Sequence, residues 1–241
     1  MTPSRAFDFC FQHFGLWQDA CAMKIGTDGV LLGAWARGGR RIVDVGTGTG
    51  LIALMLAQRY ASARVWGIEL EEGAARQAAA NAAASPFVER VTMVHADALQ
   101  WLRDERASLG PWDAMVSNPP YYTAALPCGS RQRDHARHDG HLPLEALLTV
   151  AQEHLTPEGQ LSMVLPIERW HDAETLVAEQ GLYVQRCCHV ATKEGKTPKR
   201  VLLAVGRQHP HSVETAHEVL TDADGQRSQW YRQLTKEFYL Y

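Results

Sequence analysis

The stretch "RIVDVGTGTGLIALMLAQRY", residues 41–60, decides the fold. "RIVDV" (41–45) reads as a buried strand, glycines at 46, 48 and 50 turn the chain, and "GLIALMLAQRY" (50–60) reads as a helix. The same rhythm continues downstream. "RVWGIE" (64–69) is a second strand, followed by the alanine-rich helix "EEGAARQAAANAAA" (71–84) that Pro86 closes. "RVTMVHAD" (90–97) and "ALQWLRDERA" (98–107) give a third strand and its helix, and "WDAMVSN" (112–118) a fourth strand. The helix "PLEALLTVAQEHL" (143–155), the turn "TPEG" and a fifth strand "QLSMVLP" (160–166) complete the series. Strands separated by helices predict right-handed crossovers and a parallel sheet covered on both faces.

After a helix around 168–180 the pattern changes. "LYVQRCCHV" (182–190) and "RVLLAVGR" (200–207) are joined by "ATKEGKTPK", which leaves no room for a helix. They predict an antiparallel hairpin at the end of a seven-stranded, mostly parallel sheet. Residues 1–40 and 208–241 are less regular and read as additions to one α/β domain spanning 1–241, with its core at 41–207. In such sheets ligands bind outside the carboxyl ends of the strands.

Composition narrows the function. The chain has 241 residues, 46% apolar and 21% charged, and a net charge of −3. It is not coated with positive charge, so any nucleic-acid contact has to come from a local patch. Five cysteines (10, 21, 128, 187 and 188) make an odd number without C-x-x-C spacing, which argues for reduced thiols in the cytoplasm over a disulfide framework or zinc site. The N-terminal stretch lacks an apolar run of signal length, and no segment approaches a membrane span. A cytoplasmic protein is expected.

"DVGTGTG" (44–50) lies where the first strand opens its helix. Gly46 and Gly48 fit the dinucleotide fingerprint, but position 51 is Leu and Gly50 is out of register. The spacing Asp44, Gly46, Gly48, Gly50 instead resembles the first motif of class I S-adenosyl-L-methionine (SAM)-dependent methyltransferases. That resemblance implies a Rossmann-like fold and SAM as cofactor. It places Glu69, at the end of the second strand, on the ribose hydroxyls, and Asp97, at the end of the third, on the adenine amino group. Strand-end acids also serve as plain helix caps.

The fourth strand runs into Asn118-Pro119-Pro120-Tyr121. Proline fixes φ and restricts the residue before it, so this backbone is stiff and its carbonyls cannot fold into a helix. The four residues match the N-P-P-Y motif of methyltransferases that modify planar amino nitrogens. A ring-conjugated amine is a poor nucleophile. Acceptors such as the Asn118 side-chain oxygen and the Pro119 carbonyl can draw off its developing positive charge and orient its lone pair, and Tyr121 can stack on the flat target. No strong general base is needed, because the proton leaves after the charge forms.

"MKIGTDGVLLGAW" (23–35), "NPPYY", "HARHDGHLPLEALL" and the ending "LTKEFYLY" together resemble one bacterial family. These are the adenine-N6-methyltransferases that modify the anticodon loop of a valine tRNA, beside the anticodon. The likeness runs from about residue 7 to the last residue. It implies that Thr27 and Asp28 cap a helix leading into the cofactor pocket.

A tRNA partner also suits the basic residues. "RCCHVATKEGKTPKRVLLAVGR" (186–207) holds Arg186, Lys193, Lys196, Lys199, Arg200 and Arg207 against only Glu194. Such a cluster is either a solvated face or a grip on an RNA backbone. Arg131, Arg133 and Arg137 add charge just after N-P-P-Y. His135, His138 and His141 share that loop, but without a paired carboxylate or thiol they do not argue for a metal, and none is expected. Cys187 and Cys188 should pack on opposite faces of a strand, and Phe7, Phe9 and Phe11 alternate like an amphipathic strand, which favours core packing over a base-stacking platform. The expected protein is a monomeric SAM-dependent tRNA adenine-N6-methyltransferase. The alternatives are a release-factor glutamine-N5-methyltransferase, an rRNA guanine-N2 enzyme, and an RNA-binding protein that has lost catalysis. The first normally carries a separate helical domain, for which 40 residues are too few.

Overall fold

The computed structural model describes residues 6–21, 24–119 and 142–240. Pro120, Tyr121, Arg131, Arg133, Arg137, Cys128 and the histidines at 135, 138 and 141 lie outside the described residues. A short ribbon of β1 (Phe9–Cys10) and β2 (Gly15–Leu16) precedes α1 (Thr27–Trp35). The alternating series follows: β3 (Arg41–Val45), α2 (Leu51–Arg59), β4 (Arg64–Glu69), α3 (Glu72–Ala83), β5 (Val91–His95), α4 (Ala98–Asp104), α5 (Arg106–Leu109) and β6 (Trp112–Ser117). Then come α6 (Leu144–His154), β7 (Leu155–Pro166), α7 (Trp170–Glu179), β8 (Tyr183–Lys193), β9 (Arg200–Gly206), β10 (Glu214–Thr221) and α8 (Gln229–Thr235).

The main sheet has the order β10-β8-β9-β7-β6-β3-β4-β5. β3 lies between β4 and β6, parallel to both, with Asp44 level with Gly67 on one side and Val116 on the other. From β3 the chain first moves outward through β4 and β5, then returns to the opposite side of β3 as β6. The order reverses there, and the carboxyl ends of β3 and β6 flank the crevice that such a reversal opens. β9 runs antiparallel to β7 and β8, as the hairpin reading requires.

Side-chain alternation divides the core into two layers. Ile42 faces a cluster built with α1, α2 and α8, whereas Val43 and Val45 face one built with α4, α6 and α7. Cys188 and Cys187 divide in the same way. Every residue of α2 from Leu51 to Ala57 is buried, so this helix is apolar all round and lies between the sheet and α1. Each fully buried Leu or Met there contributes about 1.5–3 kcal/mol, and that packing fixes where the helix begins.

Two elements differ from the sequence expectation. The sheet has an eighth strand, β10, taken from the stretch read as an irregular tail, and it pairs parallel to β8 with His217 level with His189. β9 ends and β10 begins at the same edge of the sheet, so no crossover helix is needed. "TPEG" is not a turn between elements but a bulge inside β7. The pairing passes from Trp112–Leu155 to Ala114–Gln160, and a Cβ at Gly159 would stand 2.7 Å from the Trp112 carbonyl oxygen. Only glycine fits so close an approach.

Among the described residues no helix is long and apolar enough to cross a membrane, and no group of three or more His, Cys, Asp or Glu could hold a metal ion.

Candidate active site

The glycine loop turns back over β4. The amides of Gly46 and Thr47 both donate to the Ile68 carbonyl oxygen, at 2.9 and 3.0 Å. Gly46, Gly48 and Gly50 all take positive φ, at 74°, 56° and 83°. Gly46 is the informative one, because a Cβ there would meet nothing within 4 Å. Its backbone faces open space in a conformation that side chains rarely adopt, which suits close approach by a ligand.

Asp44 shares the face of Ile42, so it points at the start of α2. It is fully buried; its Oδ2 accepts from the Thr47 hydroxyl at 2.6 Å and the Ala53 amide at 3.1 Å. Desolvation pushes its pKa from 3.8 up to about 7, against the lowering pull of those two hydrogen bonds. Its Oδ1 is buried and has no hydrogen-bond partner among the described residues. A buried acceptor left open in this way fits a cationic donor, and the α-ammonium of SAM is one.

Glu69 holds the loop from the next strand end. Its Oε2 accepts from the Gly48 amide at 2.8 Å and its Oε1 from the Glu71 amide at 3.0 Å. Each carboxylate oxygen keeps acceptor capacity for a pair of hydroxyls. The Ala96 amide donates to the Glu69 carbonyl oxygen at 3.0 Å, which draws the end of β5 against the end of β4. Asp97 follows, exposed, and caps α4 by accepting from the Gln100 amide at 2.9 Å. The three expected acids therefore lie at or just past the carboxyl ends of three adjacent strands, and this set of acceptors fits SAM.

Asn118 leaves the end of β6 directly beside this cradle. Ser117 Oγ donates to the Val45 carbonyl oxygen at 2.8 Å, fastening the end of β6 to the residue before the glycine loop. Asn118 is half-buried and Pro119 buried. The Asn118 side chain makes no hydrogen bond to another described residue, so its amide oxygen is available to a target.

Thr27 and Asp28 are placed differently from the expectation. Gly26 is the N-cap of α1, with no side-chain cap, and Thr27 is the exposed first residue of the helix. Asp28 instead forms an ion pair with Arg200 at 2.6 Å. The basic cluster also divides. Arg186 lies at the opposite end of β8, stacked over Trp35 with its guanidinium carbon 4.0 Å from the ring centroid, and burial lowers its pKa to about 10. Arg207 Nη1 donates to the Leu155 carbonyl oxygen at 3.0 Å. Lys193, Lys196 and Lys199 are exposed on the turn joining β8 to β9. Pro166 is level with Arg200, and Arg200 with Val190, so that turn rises past the carboxyl end of β7 on the same rim as Asn118.

Phe7, Phe9 and Phe11 are packing residues. Phe11 is buried and stacks on Phe14 at 4.9 Å, and Phe7 rests on Trp17 at 4.6 Å. Two polar side chains had no visible role in the sequence. Gln77 and Asn81, four residues apart on the alanine-rich α3, are both buried. Asn81 Oδ1 accepts from the Trp17 amide, and its Nδ2 donates to the Trp17 and Thr49 carbonyl oxygens, all at 2.9 Å. Gln77 accepts from the Ala20 amide at 2.9 Å and donates to Asp19 at 2.7 Å. The only available signal was two amides at helical spacing among alanines.

Comparison with known proteins agrees with this geometry. The model of the methyltransferase small domain matches residues 25–181. A protein of Bacteroides thetaiotaomicron named tRNA1(Val) (adenine(37)-N6)-methyltransferase is 43% identical over 237 residues, covering 97% of each chain. A Tolumonas auensis protein of the same name is 42% identical over 236 residues, covering 96% of each. A solved structure from Agrobacterium tumefaciens, described as a "predicted O-methyltransferase", superposes with a TM-score of 0.66 over 89% of this chain and 98% of that one. At 19% identity this likeness concerns the fold alone. By motif, cradle and relatives, the chain belongs to the methyltransferase small-domain family and, within it, to the tRNA1(Val) (adenine(37)-N6)-methyltransferases.

Proposed function

We propose that the protein methylates the exocyclic N6 of the adenine at position 37 of a valine tRNA, with SAM as methyl donor. The observation that supports this reading is that Asn118 leaves the carboxyl end of β6, the strand beside β3, where the Ser117–Val45 hydrogen bond ties β6 to the residue before the glycine loop. When bound, SAM supplies a methyl group on a sulfonium centre. Asp44 receives the ammonium end of the cofactor, Glu69 the ribose hydroxyls and Asp97 the adenine amine, along the loop of Gly46, Gly48 and Gly50, which is open at Gly46. Thr27, the exposed first residue of α1, joins these cofactor contacts in the proposed complex.

Asn118 Oδ1 and the Pro119 carbonyl accept from the target NH₂ and hold its lone pair towards the methyl group. Positive charge appears on the nitrogen as the bond forms, and these fixed acceptors stabilise it without reorganising. The proton then passes to solvent. Pro120 stiffens the segment and Tyr121 stacks on the base. Lys193, Lys196 and Lys199, with Arg131, Arg133 and Arg137 after the motif, neutralise RNA phosphates, and Arg200 shapes the rim. The target adenine has to be unpaired or flipped, which is easiest in a loop. The chain acts as one domain and as a monomer in the cytoplasm, with residues 1–40 closing the cofactor pocket.

Labelled SAM should be incubated with the protein and, separately, with tRNA lacking the modification, rRNA and release factor. Label in tRNA, released on nucleoside digestion as N6-methyladenosine, is the expected result. N2-methylguanosine, or label in a release-factor glutamine, would overturn the assignment.

A further inference from the structure

Among the described residues, the segment 17–21 crosses above the glycine loop without pairing to any strand. Two side chains of α3, Asn81 and Gln77, hold it. Asn81 uses both donors and its acceptor, gripping both backbone polar groups of Trp17 and the carbonyl of Thr49 inside the glycine loop. One helical turn earlier, Gln77 accepts from the Ala20 amide and donates to the Asp19 carboxylate. The two amides thus stand in for a strand, pairing the segment to α3 at helical spacing. The segment ends over the loop, where Cys21 Sγ would lie 3.7 Å from a Cβ at Gly48. Trp17 is packed on Phe7, and the Gln18 amide is held by Asp8 at 2.8 Å, so the far side of the segment is anchored as well.

Alanine would serve a helix that merely packed here, as it does at positions 74, 75, 78 and 82. A fully buried amide is costly unless every polar atom is satisfied, and Asn81 satisfies its own with partners from two segments that need not otherwise touch. We infer that Asn81, supported by Gln77, is a positioning residue for SAM. It sets the glycine loop and the covering segment at a fixed separation, and so builds the cofactor cradle before the cofactor arrives. This inference rests on the SAM site described above but not on the identity of the methylated RNA.

The test uses the full chain, with S-adenosylhomocysteine as probe in calorimetry and a maleimide as probe of Cys21, followed by mass mapping. Asn81→Leu removes all three hydrogen bonds, and Asn81→Asp keeps the shape but sets a carboxylate against two carbonyl oxygens. Both should weaken S-adenosylhomocysteine binding by at least about tenfold, the scale set by a buried hydrogen-bonding group losing its partners. Both should also speed Cys21 alkylation in the absence of ligand by at least about tenfold. The SAM KM should rise in parallel, with kcat at saturating SAM falling less than about threefold. A folded variant with unchanged affinity, or with unchanged Cys21 reactivity, would overturn the proposal. If the Asn81 variants do not fold, Gln77→Met, nearer the surface, should move both readouts in the same direction, and no change in a folded Gln77→Met likewise overturns it.

Discussion

Arg200 Nε lies 2.6 Å from Asp28 Oδ1, tying the first turn of α1 to the base of the basic hairpin. Only 18% of the Arg200 side chain is exposed, against 43% for Asp28. Arg200 therefore has a structural partner, whereas the three neighbouring lysines have none among the described residues. Arg200→Ala should lower stability by about 1–3 kcal/mol, since it strands a partly buried carboxylate. A thermal melt shows this directly, and an unchanged melting temperature would mean the pair contributes nothing.

Replacing Lys193, Lys196 and Lys199 together with Ala should leave the melting temperature in place. Binding of tRNA should weaken, and its dependence on log salt should flatten by about one unit for each phosphate contact removed. Titrations at several salt concentrations separate this from a solvated face, which would leave the slope alone. Affinity for S-adenosylhomocysteine should not move in either case.

Asn118→Ala should lower kcat by at least ~10²-fold, the size expected when one preorganised hydrogen-bonding group is lost. Cofactor affinity should stay within about twofold of wild type, because the role proposed for Asn118 is on the target amine and not on the cofactor. Single-turnover methylation with saturating tRNA is the decisive measurement; near-normal turnover would remove Asn118 from the chemistry.

Asp44 carries an unusual pH signature. Its folded pKa of about 7 stands above the ordinary 3.8 because burial disfavours the carboxylate. Between those values the folded protein holds a proton that the unfolded chain has lost. This contribution to stability therefore falls as pH rises through the window and levels off above pH 7. Asp44→Asn should abolish the dependence, so its advantage in melting temperature over wild type should grow from pH 4 to pH 7. The same variant should bind SAM more weakly at pH 8, where wild type offers a full negative charge. A variant less stable than wild type at pH 8 would show that the Thr47 and Ala53 hydrogen bonds outweigh the desolvation.

Much of the fold was legible because its signals are local. β3 and β4 have the expected limits, and the glycine loop, Asp44, Glu69 and Asn118 lie at the ends of the expected strands, whereas Asp97 stands two residues past β5 as the cap of α4. β10 was not legible: "ETAHEVLT" is an edge strand with exposed Glu214, Thr215 and His217, so it lacks the apolar alternation of a half-buried strand. "TPEG" has turn composition, yet pairing with β6 keeps it extended around a bulge. Asn81 and Gln77 could not be read because their partners lie 32 to 64 residues earlier in the chain, and tertiary hydrogen bonds leave no periodic trace. The basic cluster was legible as charge alone. That Arg186 and Arg207 belong to the far end of their strands follows only from the pairing of β8 with β9.

Gln12 is bonded through its side chain to the carbonyls of Lys236 and Tyr239 and through its amide to that of Phe238, across more than 220 residues. Phe11 packs against the rings of Phe238 and Tyr239. On the ribosome, the βα units of the core emerge and can pair long before this clasp has both halves. The stretch leading to Trp17 is made first, but the clasp on its leading end closes only once residues 236–239 have emerged, so a nascent chain can hold most of its core while that end is still unfastened.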